Sequence, residues 1–533
     1  MTQRPNILLV VVDCARSDKW IGPNRHTHTP VIDRLAAQSA VLPTTITEKS
    51  CTTPSFSTLL TGQYSPRHGV HLVWGYRLPE SVPMLTEAFA RIGYHTYAEA
   101  SGPLLPEMGL ARGFEHYAYR APCDHLHTAW GDQFVEKLRT GGYRAPWLIM
   151  LHIWELHPHR LVQPEFDNPN SGRDEYERAI SSLDAQLERV FAAAGDDSVI
   201  VFTGDHGEKT RFEEYRPDTA VDYARKLLRV DEAEGMAPFQ IAGWAGPSVL
   251  QQLYGRCAPG LRDVNLRTPA ARPRYTRWAR LRDRLRLLRL TPMVFLTDLL
   301  SLGAPLKLTR MLERRGLLDP NRSRRKVERF ADALGEQRLR EMHLRMWINS
   351  YKHNYEEGHM VHVYDFLVRV PLLIRWPGRL RAGVFDRMVR QPDIVPTLLD
   401  LLGVEDDALA DIEGRSLRPL LDGEAWAPAP AFLSVSGCPR DIELHGVRTE
   451  THKFTFGPHN DELPVELYDL RSDPGETRNV AAEHADVCAE LRALAERFAQ
   501  ADGAGAIDAM ELSADDQQRV ERHLQELGYL PEQ

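Results

Sequence analysis

The sequence predicts an α/β protein with buried parallel strands, and two apolar runs carry this prediction. Residues 6–13 form an uninterrupted hydrophobic run that ends in Asp13. Such a run is typical of a parallel strand covered on both faces. A similar run begins at Val199 and ends in the pair Asp205-His206. Open α/β sheets bind ligands beyond the carboxyl ends of their strands, so both strand ends are candidate site positions.

The segment 50–62 predicts the start of a helix. Thr52 stands two residues before Pro54, and Pro is favoured in the first turn of a helix. A Thr before an apolar helical run is also typical of an N-cap. We therefore expect Thr52 at a helix N-terminus, where free N–H groups and the positive end of the helix dipole favour an anionic tetrahedral group.

Four side chains at these positions form a candidate metal site. Asp13, Thr52, Asp205 and His206 are all hard or borderline ligands. Together they are predicted to hold one divalent cation, with the Thr52 oxygen among the ligands. Metal coordination lowers the pKa of a hydroxyl group and makes it a usable nucleophile. Thr52 is therefore the candidate nucleophile.

The segment 50–62 resembles the nucleophile motif of the sulfatase family, Cys/Ser-x-Pro-Ser-Arg followed by four residues and Thr-Gly. Pro54, Ser55 and Thr61 match this motif, which places Thr52 at the position of the modifiable Cys or Ser. The resemblance implies an alkaline-phosphatase-like α/β/α sandwich with a mixed, mostly parallel sheet. Further similar segments are residues 93–97, 109–117, 146–159, 358–365, 369–378, 391–403, 414–423 and 466–479.

Three departures from the family pattern bear on the substrate. Cys14 stands where the family usually has a second Asp, and Phe56 stands in place of the motif's Arg. Cys51 lies three residues before Pro54 rather than two, so no formylglycine is expected. Relatives with an unmodified Thr include phosphodiesterases, phosphatases and phosphonate hydrolases. The resemblance therefore favours a phosphate or phosphonate ester over a sulfate ester.

Three alternatives stay open at this point. The first is a sulfuric ester hydrolase that works without formylglycine. The second is a phosphoryl-group transferase, in which a phosphothreonine passes its group to an acceptor alcohol. The third is an inactive scaffold protein on the sulfatase fold, which the departures at Cys14 and Phe56 make conceivable.

The histidines extend the predicted site. His157 and His359 fall at family positions and are expected to contact the ester or to protonate its leaving oxygen. A resemblance to nucleotide pyrophosphatases suggests a possible second metal on Glu155, His159 and His359. Calcium, magnesium or manganese is expected for one metal, and zinc or manganese for two. By contrast, His152 and His362 are expected to be packing groups or to support the ligands.

The similar segments divide the chain into four parts. A catalytic domain is predicted over residues 1–208 and 351–430, with a small C-terminal subdomain and terminal helices over 431–533. Between them, residues 209–350 form a predicted basic helical insertion. Residues 262–345 hold 22 Lys and Arg against 9 Asp and Glu. This insertion is expected to be a solvated helical subdomain, a lid that attracts an anionic substrate, or a peripheral membrane contact.

Composition limits the class of protein. The 533 residues carry a net charge of −9 and include six scattered Cys without metal-ligand or disulfide spacing. The sequence has no apolar run long enough to span a membrane. It also opens directly on the first strand, so we expect no signal peptide and a cytoplasmic protein. The expected partner is a small anionic ester. No nucleic-acid motif is present, and the oligomeric state is not predicted.

Overall fold

A computed structural model describes residues 4–23, 25–73, 76–121, 123–157, 160–210, 362–404, 412–436, 443–458, 465–500 and 513–526. The strands in these ranges are β1 (Ile7–Val12), β2 (Ala40–Ile46), β3 (His95–Ala100), β4 (His116–Tyr119), β5 (Trp147–Ile153), β6 (Val199–Gly204), β7 (Arg369–Arg375), β8 (Gly383–Val384), β9 (Met388–Arg390), β10 (Ala431–Ser436), β11 (Glu443–Arg448), β12 (His452–Phe456) and β13 (Glu466–Asp469).

The helices in the same ranges are α1 (Ser17–Trp20), α2 (Pro30–Ala36), α3 (Thr52–Thr61), α4 (Ser65–His68), α5 (Leu85–Arg91), α6 (Ala129–Arg139), α7 (Glu175–Ala194), α8 (Asp365–Val368), α9 (Ile394–Leu401), α10 (Arg418–Leu421), α11 (Ala485–Ala499) and α12 (Ala514–Glu526). Short 3-10 helices cover Pro106–Met108, Pro164–Phe166 and Gln391–Asp393. Within the described ranges, no helix is long and apolar enough to cross a bilayer.

The main sheet confirms the predicted mixed, mostly parallel arrangement. Its strands follow the order β4-β3-β5-β1-β6-β7-β2-β8, and β9 pairs with β2. The strands β4, β3, β5, β1 and β6 run parallel to one another. The strand β7 is antiparallel to both β6 and β2. The central strand β1 is buried along its whole length, as its uninterrupted apolar sequence predicts.

Successive side chains of β1 pack into two separate cores. Leu9 belongs to the core on one face, together with Phe56 of α3 and Leu398 of α9. Val10 belongs to the core on the other face, together with Leu183 of α7. Because neighbouring residues of a strand point to opposite faces, helices cover both sides of the sheet. The predicted α/β/α sandwich is confirmed.

A second, antiparallel sheet has the strand order β10-β11-β12-β13. The helix α11 packs on it, with Leu491 and Ala495 in one cluster with Phe454. A buried ion-pair cluster joins this sheet to α8: the Nζ of Lys453 lies 2.5 Å from an Asp365 carboxylate oxygen. The boundaries of the four predicted parts stay a prediction. Apart from residues 209 and 210, the basic insertion lies outside the described residues.

The C-terminal end of α3 is held by the segment that follows residue 411. Gly62 ends the helix with a left-handed φ of 69°, and its N–H donates to the carbonyl of Thr58. The N–H groups of Glu413 and Gly414 donate to the Gly62 carbonyl at 3.0 and 2.8 Å. The Glu413 carboxylate accepts the Tyr64 N–H at 2.6 Å. Glu413 therefore helps to fix the helix that begins at Thr52.

The pKa of Glu413 predicts a pH-dependent stability. Burial raises this pKa from 4.5 to about 7, so between these values the folded state binds more protons than the unfolded state. The free energy of unfolding should therefore fall as pH rises through this window. Glu413→Gln keeps an acceptor for Tyr64 and removes the ionisable group. We expect the variant to lose less stability than the wild type between about pH 5 and about pH 8.

Denaturant unfolding at several pH values measures this difference. Glu424→Gln makes the same chemical change at an exposed position and serves as the control. The prediction fails if Glu413→Gln and Glu424→Gln follow the same pH dependence.

Candidate metal and nucleophile site

Three adjacent parallel strands bring the site together. In the register of the sheet, Val12 of β1 lies beside Ile153 of β5 and Gly204 of β6. The next residues along the chain, Asp13 and Asp205, therefore leave the sheet at the same edge. The Asp13 N–H donates to the Ile153 carbonyl at 2.8 Å, which continues the ladder by one residue. Both carboxylates are fully buried.

The turn after β1 places Asp13 through an unusual backbone conformation. Cys14 has a φ of 57°, in the left-handed region that non-glycine residues rarely occupy. Its N–H donates to the Oδ1 of Asp205 at 3.2 Å. This hydrogen bond joins the two strand ends directly. Strained backbone of this kind is concentrated at functional sites.

Thr52 is the first residue of α3, whose N-cap is Cys51 rather than Thr52. The helix start is as predicted, but the Thr52 hydroxyl does not cap it. Instead its Oγ1 donates to the Oδ2 of Asp13 at 3.0 Å and lies 3.3 Å from the Nε2 of His206. The side chain is 1% exposed. The hydroxyl that the sequence predicts as the nucleophile therefore lies between two of the predicted ligands.

The ring of His206 is held in one tautomer. Its Nδ1 lies 2.8 Å from the Gly207 carbonyl, and a carbonyl oxygen only accepts hydrogen bonds. The Nδ1 therefore carries the proton, and the Nε2 presents a lone pair towards Thr52. This is the arrangement of a metal-binding histidine, whose second nitrogen donates to a fixed acceptor.

The described donor atoms fit a divalent cation. The Oδ1 of Asp13 and the Oδ2 of Asp205 are buried and have no hydrogen-bond partner among the described residues. Buried polar atoms normally have one. Asp13 belongs to two groups of potential metal ligands. One group also contains Cys14 and His206, and the other also contains His152 and Asp205. Within each group the ligand atoms lie within 4.8 Å of one another. One cation would contact the atoms that otherwise lack partners.

The pKa values of the two carboxylates show how strongly they interact. Burial and the negative charge of Asp13 raise the pKa of Asp205 well above its usual range. Burial by itself also raises the pKa of Asp13, but the neighbouring imidazoles of His152 and His206 lower it below its usual range. A divalent cation would remove the repulsion between these carboxylates and favour ionisation of both.

The turn at Asp205 is held by contacts with two other segments. A Cβ on Gly207 would come 2.1 Å from the Phe366 carbonyl, so only glycine allows this approach. The side-chain amide of Gln391 donates to the Asp205 carbonyl at 3.1 Å. No role is predicted for Gln391 from the sequence. Its place in the family-like segment 391–403 was the available signal.

His157 lies at the rim of the site. Its ring stacks on Trp154, with ring centroids 3.9 Å apart, and it is partly exposed. Gly102, with a φ of 64°, makes room for Trp154, because a Cβ there would lie 2.4 Å from the indole ring. His157 is among the groups whose charge lowers the pKa of Asp13. Its predicted contact with the ester or leaving group stays a prediction.

Glu155, the first residue of the predicted second metal site, points to a different set of partners. Its Oε1 accepts the Leu126 N–H at 2.8 Å and lies 3.9 Å from the Nδ1 of His125. His159 and His359 lie outside the described residues. The second metal site therefore stays a prediction.

His152 and His362 were both expected to pack or to support the ligands. His362 stacks on Tyr364, and its Nε2 lies 3.3 Å from a Glu466 carboxylate oxygen. His152 instead lies within the site, with its Nε2 3.7 Å from the Oδ2 of Asp13. Its place inside the apolar strand β5, within the family-like segment 146–159, was the signal for it in the sequence.

Comparison with known proteins agrees with this geometry. A family model described as Sulfatase matches residues 5–230, and one described as N-sulphoglucosamine sulphohydrolase, C-terminal, matches residues 358–501. An N-acetylglucosamine-6-O-sulfatase of Bacteroides thetaiotaomicron is 34% identical over 144 residues, 25% of this chain and 25% of that protein. Arylsulfatase A of Homo sapiens is 32% identical over 165 residues, 26% of this chain and 32% of that protein. The chain thus spans about a quarter to a third of these curated relatives.

Solved structures share the fold over nearly the whole chain. A 2-O GAG sulfatase superposes with a TM-score of 0.56 at 15% identity, covering 94% of this chain and 93% of its own. A phosphonate monoester hydrolase of Agrobacterium radiobacter superposes with a TM-score of 0.52 at 17% identity, covering 93% and 95%. At such low identity these similarities establish the fold alone. With the two family models, they lead to one conclusion: the chain belongs to the sulfatase family.

Proposed function

We propose that this chain is a metal-dependent hydrolase of small anionic esters, with Thr52 as its nucleophile and with phosphate or phosphonate esters favoured over sulfate esters. One observation carries the proposal. The Thr52 hydroxyl contacts Asp13 and His206, whose side chains meet the Asp205 carboxylate at the end of the sheet. The proposed metal ligands are Asp13, Thr52, Asp205 and His206.

The residues of the site have complementary roles in this proposal. A bound divalent cation would supply positive charge that lowers the pKa of the nucleophile and stabilises anionic oxygens. The Oδ2 of Asp13 accepts the hydrogen bond from Thr52 and so orients the hydroxyl. The N-terminus of the ten-residue helix α3 directs its free N–H groups towards the place where an anion would bind.

The reaction would proceed in two displacements at the central atom of the ester. The Thr52 hydroxyl loses its proton to solvent, its oxygen attacks phosphorus, a new Thr–O–P bond forms, and the P–O bond to the alcohol breaks. His157 is the proposed donor of the proton that the leaving alcohol takes. Water then attacks phosphorus while His157 takes one of its protons, the P–O bond to Thr52 breaks, and Thr52 is released together with phosphate or phosphonate.

The chemistry of an unmodified Thr favours phosphorus. The formylglycine of typical sulfatases bears two oxygens on one carbon, so its sulfate leaves by elimination without attack at sulfur. The Cβ of Thr52 carries a single oxygen, and this elimination is not available to it. A sulfated Thr52 would need direct hydrolysis at sulfur. The named relatives include sulfatases and a phosphonate monoester hydrolase, so family membership leaves both ester classes open.

Cys51 is a poor substitute for Thr52 as the nucleophile. It is buried at the N-cap of α3, and burial raises the pKa of its thiol to about 12. A thiol reacts as its thiolate, and little thiolate forms with such a pKa. The hydroxyl of Thr52, by contrast, already contacts Asp13 and His206.

The first test compares four chromogenic esters: an aryl sulfate, a phosphate monoester, a phosphodiester and a phosphonate monoester. The protein is assayed with calcium, magnesium, manganese or zinc. We expect the fastest turnover on a phosphorus ester. Because Thr52→Ala removes the attacking atom, it should lower kcat/KM by roughly a thousandfold or more. The fold, checked by circular dichroism, should remain.

Cys51→Ser is the matched control, because it changes the neighbouring residue and leaves the Thr52 hydroxyl in place. It should retain turnover. Full activity of Thr52→Ala would overturn the assignment of the nucleophile. An aryl sulfate turned over faster than every phosphorus ester would select the sulfuric ester hydrolase instead.

The second test concerns the covalent state of Thr52. Rapid acid quench during turnover of a phosphorus ester, followed by peptide mass spectrometry, should find one phosphoryl or phosphonyl group on Thr52. Adding an acceptor alcohol distinguishes the two fates of this group. A hydrolase should release mainly free phosphate or phosphonate, whereas acceptor-dependent product with little hydrolysis would identify a transferase. Modification of another residue would contradict the mechanism.

A further inference from the structure

Among the residues that the structure describes, His152 has an imidazole inside the site that the proposed mechanism does not use. His152 lies in β5 and is fully buried. Its ring packs edge-on against Phe56, with ring centroids 4.9 Å apart. A histidine with only a packing role in the core would make the same contacts. The hydrogen bonds of its two nitrogens point to another role.

The two nitrogens of His152 have different surroundings. The Nδ1 lies 3.1 Å from the Ser101 carbonyl, so it carries the proton that this acceptor requires. The Nε2 then carries no proton and presents a lone pair. It has no hydrogen-bond partner among the described residues. A buried nitrogen without a partner is uncommon in a packed core. The same pattern of one donating and one open nitrogen is typical of histidines that bind metals.

The open nitrogen faces the two acidic residues of the site. The Nε2 lies 3.7 Å from the Oδ2 of Asp13. The ligand atoms of Asp13, His152 and Asp205 all lie within 4.8 Å of one another. Zinc binds nitrogen and carboxylate oxygen at about 2.0–2.2 Å, so two atoms on one ion are at most about 4.4 Å apart. The His152–Asp13 distance is within this limit, and the 4.8 Å bound on the whole group lies close to it.

We propose that His152 is a direct metal ligand, in addition to the four residues named by the sequence. The inference rests on the metal site of the proposed function. His152 and His206 belong to two ligand groups that share Asp13, so an ion that binds both imidazoles would draw the two groups together around this carboxylate. Imidazole favours zinc and other transition metals, whereas calcium and magnesium favour sites built from oxygen. The site should therefore prefer a transition metal to calcium.

Direct metal binding tests this role without any turnover. The 533-residue protein, freed of metal by chelation, is titrated with Co²⁺, and binding is followed by visible absorption. Zn²⁺ and Ca²⁺ are then measured by competition and calorimetry. We expect the wild type to bind Zn²⁺ and Co²⁺ more tightly than Ca²⁺. Because His152→Asn lacks the imidazole donor, it should bind Co²⁺ and Zn²⁺ at least about tenfold more weakly and change the visible Co²⁺ spectrum.

His116→Asn is the matched control, because His116 is an exposed histidine on β4. It should bind Co²⁺ like the wild type. His152→Gln serves as a second variant in case His152→Asn does not fold, and circular dichroism of the metal-free proteins checks both. Pulsed EPR on Cu²⁺-loaded wild type gives an answer that needs no folded variant of His152. It should detect two coordinated imidazole nitrogens rather than one.

The outcomes separate this inference from the proposed function. Wild-type affinity and an unchanged Co²⁺ spectrum in a folded His152 variant would overturn the role of His152 and leave the metal site standing. A single imidazole in the pulsed EPR spectrum would do the same. A wild type that binds none of the tested cations would overturn the metal site itself, and the role of His152 with it.

Discussion

The parallel register of three strands is the constraint on which the rest of the structure depends. Because Val12 pairs with both Ile153 and Gly204, the chain leaves all three strands at one edge of the sheet. Asp13 and Asp205 are brought together there although they lie far apart in sequence. Shifting the register of β1 by one residue would move every side chain of this strand to the opposite face of the sheet. The two cores and the position of the site are therefore set by the same register.

The site gathers charge in a place where water cannot screen it. Burial and the neighbouring Asp13 raise the pKa of Asp205. A bound cation would offset the free-energy cost of ionising this carboxylate. The structure surrounds the carboxylates with oriented groups: the Cys14 N–H on Asp205, the Thr52 hydroxyl on Asp13, and the His206 ring held by a carbonyl. The preorganised hydroxyl of Thr52 is therefore a consequence of how the strand ends are held.

Two of the departures from the sulfatase motif meet at the same place in the fold. Phe56 stands where the motif has Arg, and its ring packs against His152, whose Nε2 faces Asp13. The other of the two departures, Cys14, donates its backbone N–H to the Asp205 carboxylate.

The sequence by itself determined the sheet class and the start of α3, and it predicted the four residues Asp13, Thr52, Asp205 and His206, which the structure brings together. It could do so because uninterrupted apolar runs, Pro-containing helix starts and strand-end carboxylates are local patterns. Only the tertiary structure decided the role open to His152 and the orientation of Glu155. His152 lies in β5 and Glu155 lies just after it. The local sequence around each is compatible both with a metal ligand and with a residue that only supports the fold. Which groups their side chains face depends on neighbouring strands and loops, because side-chain contacts across a sheet are set by strand order and register rather than by local sequence.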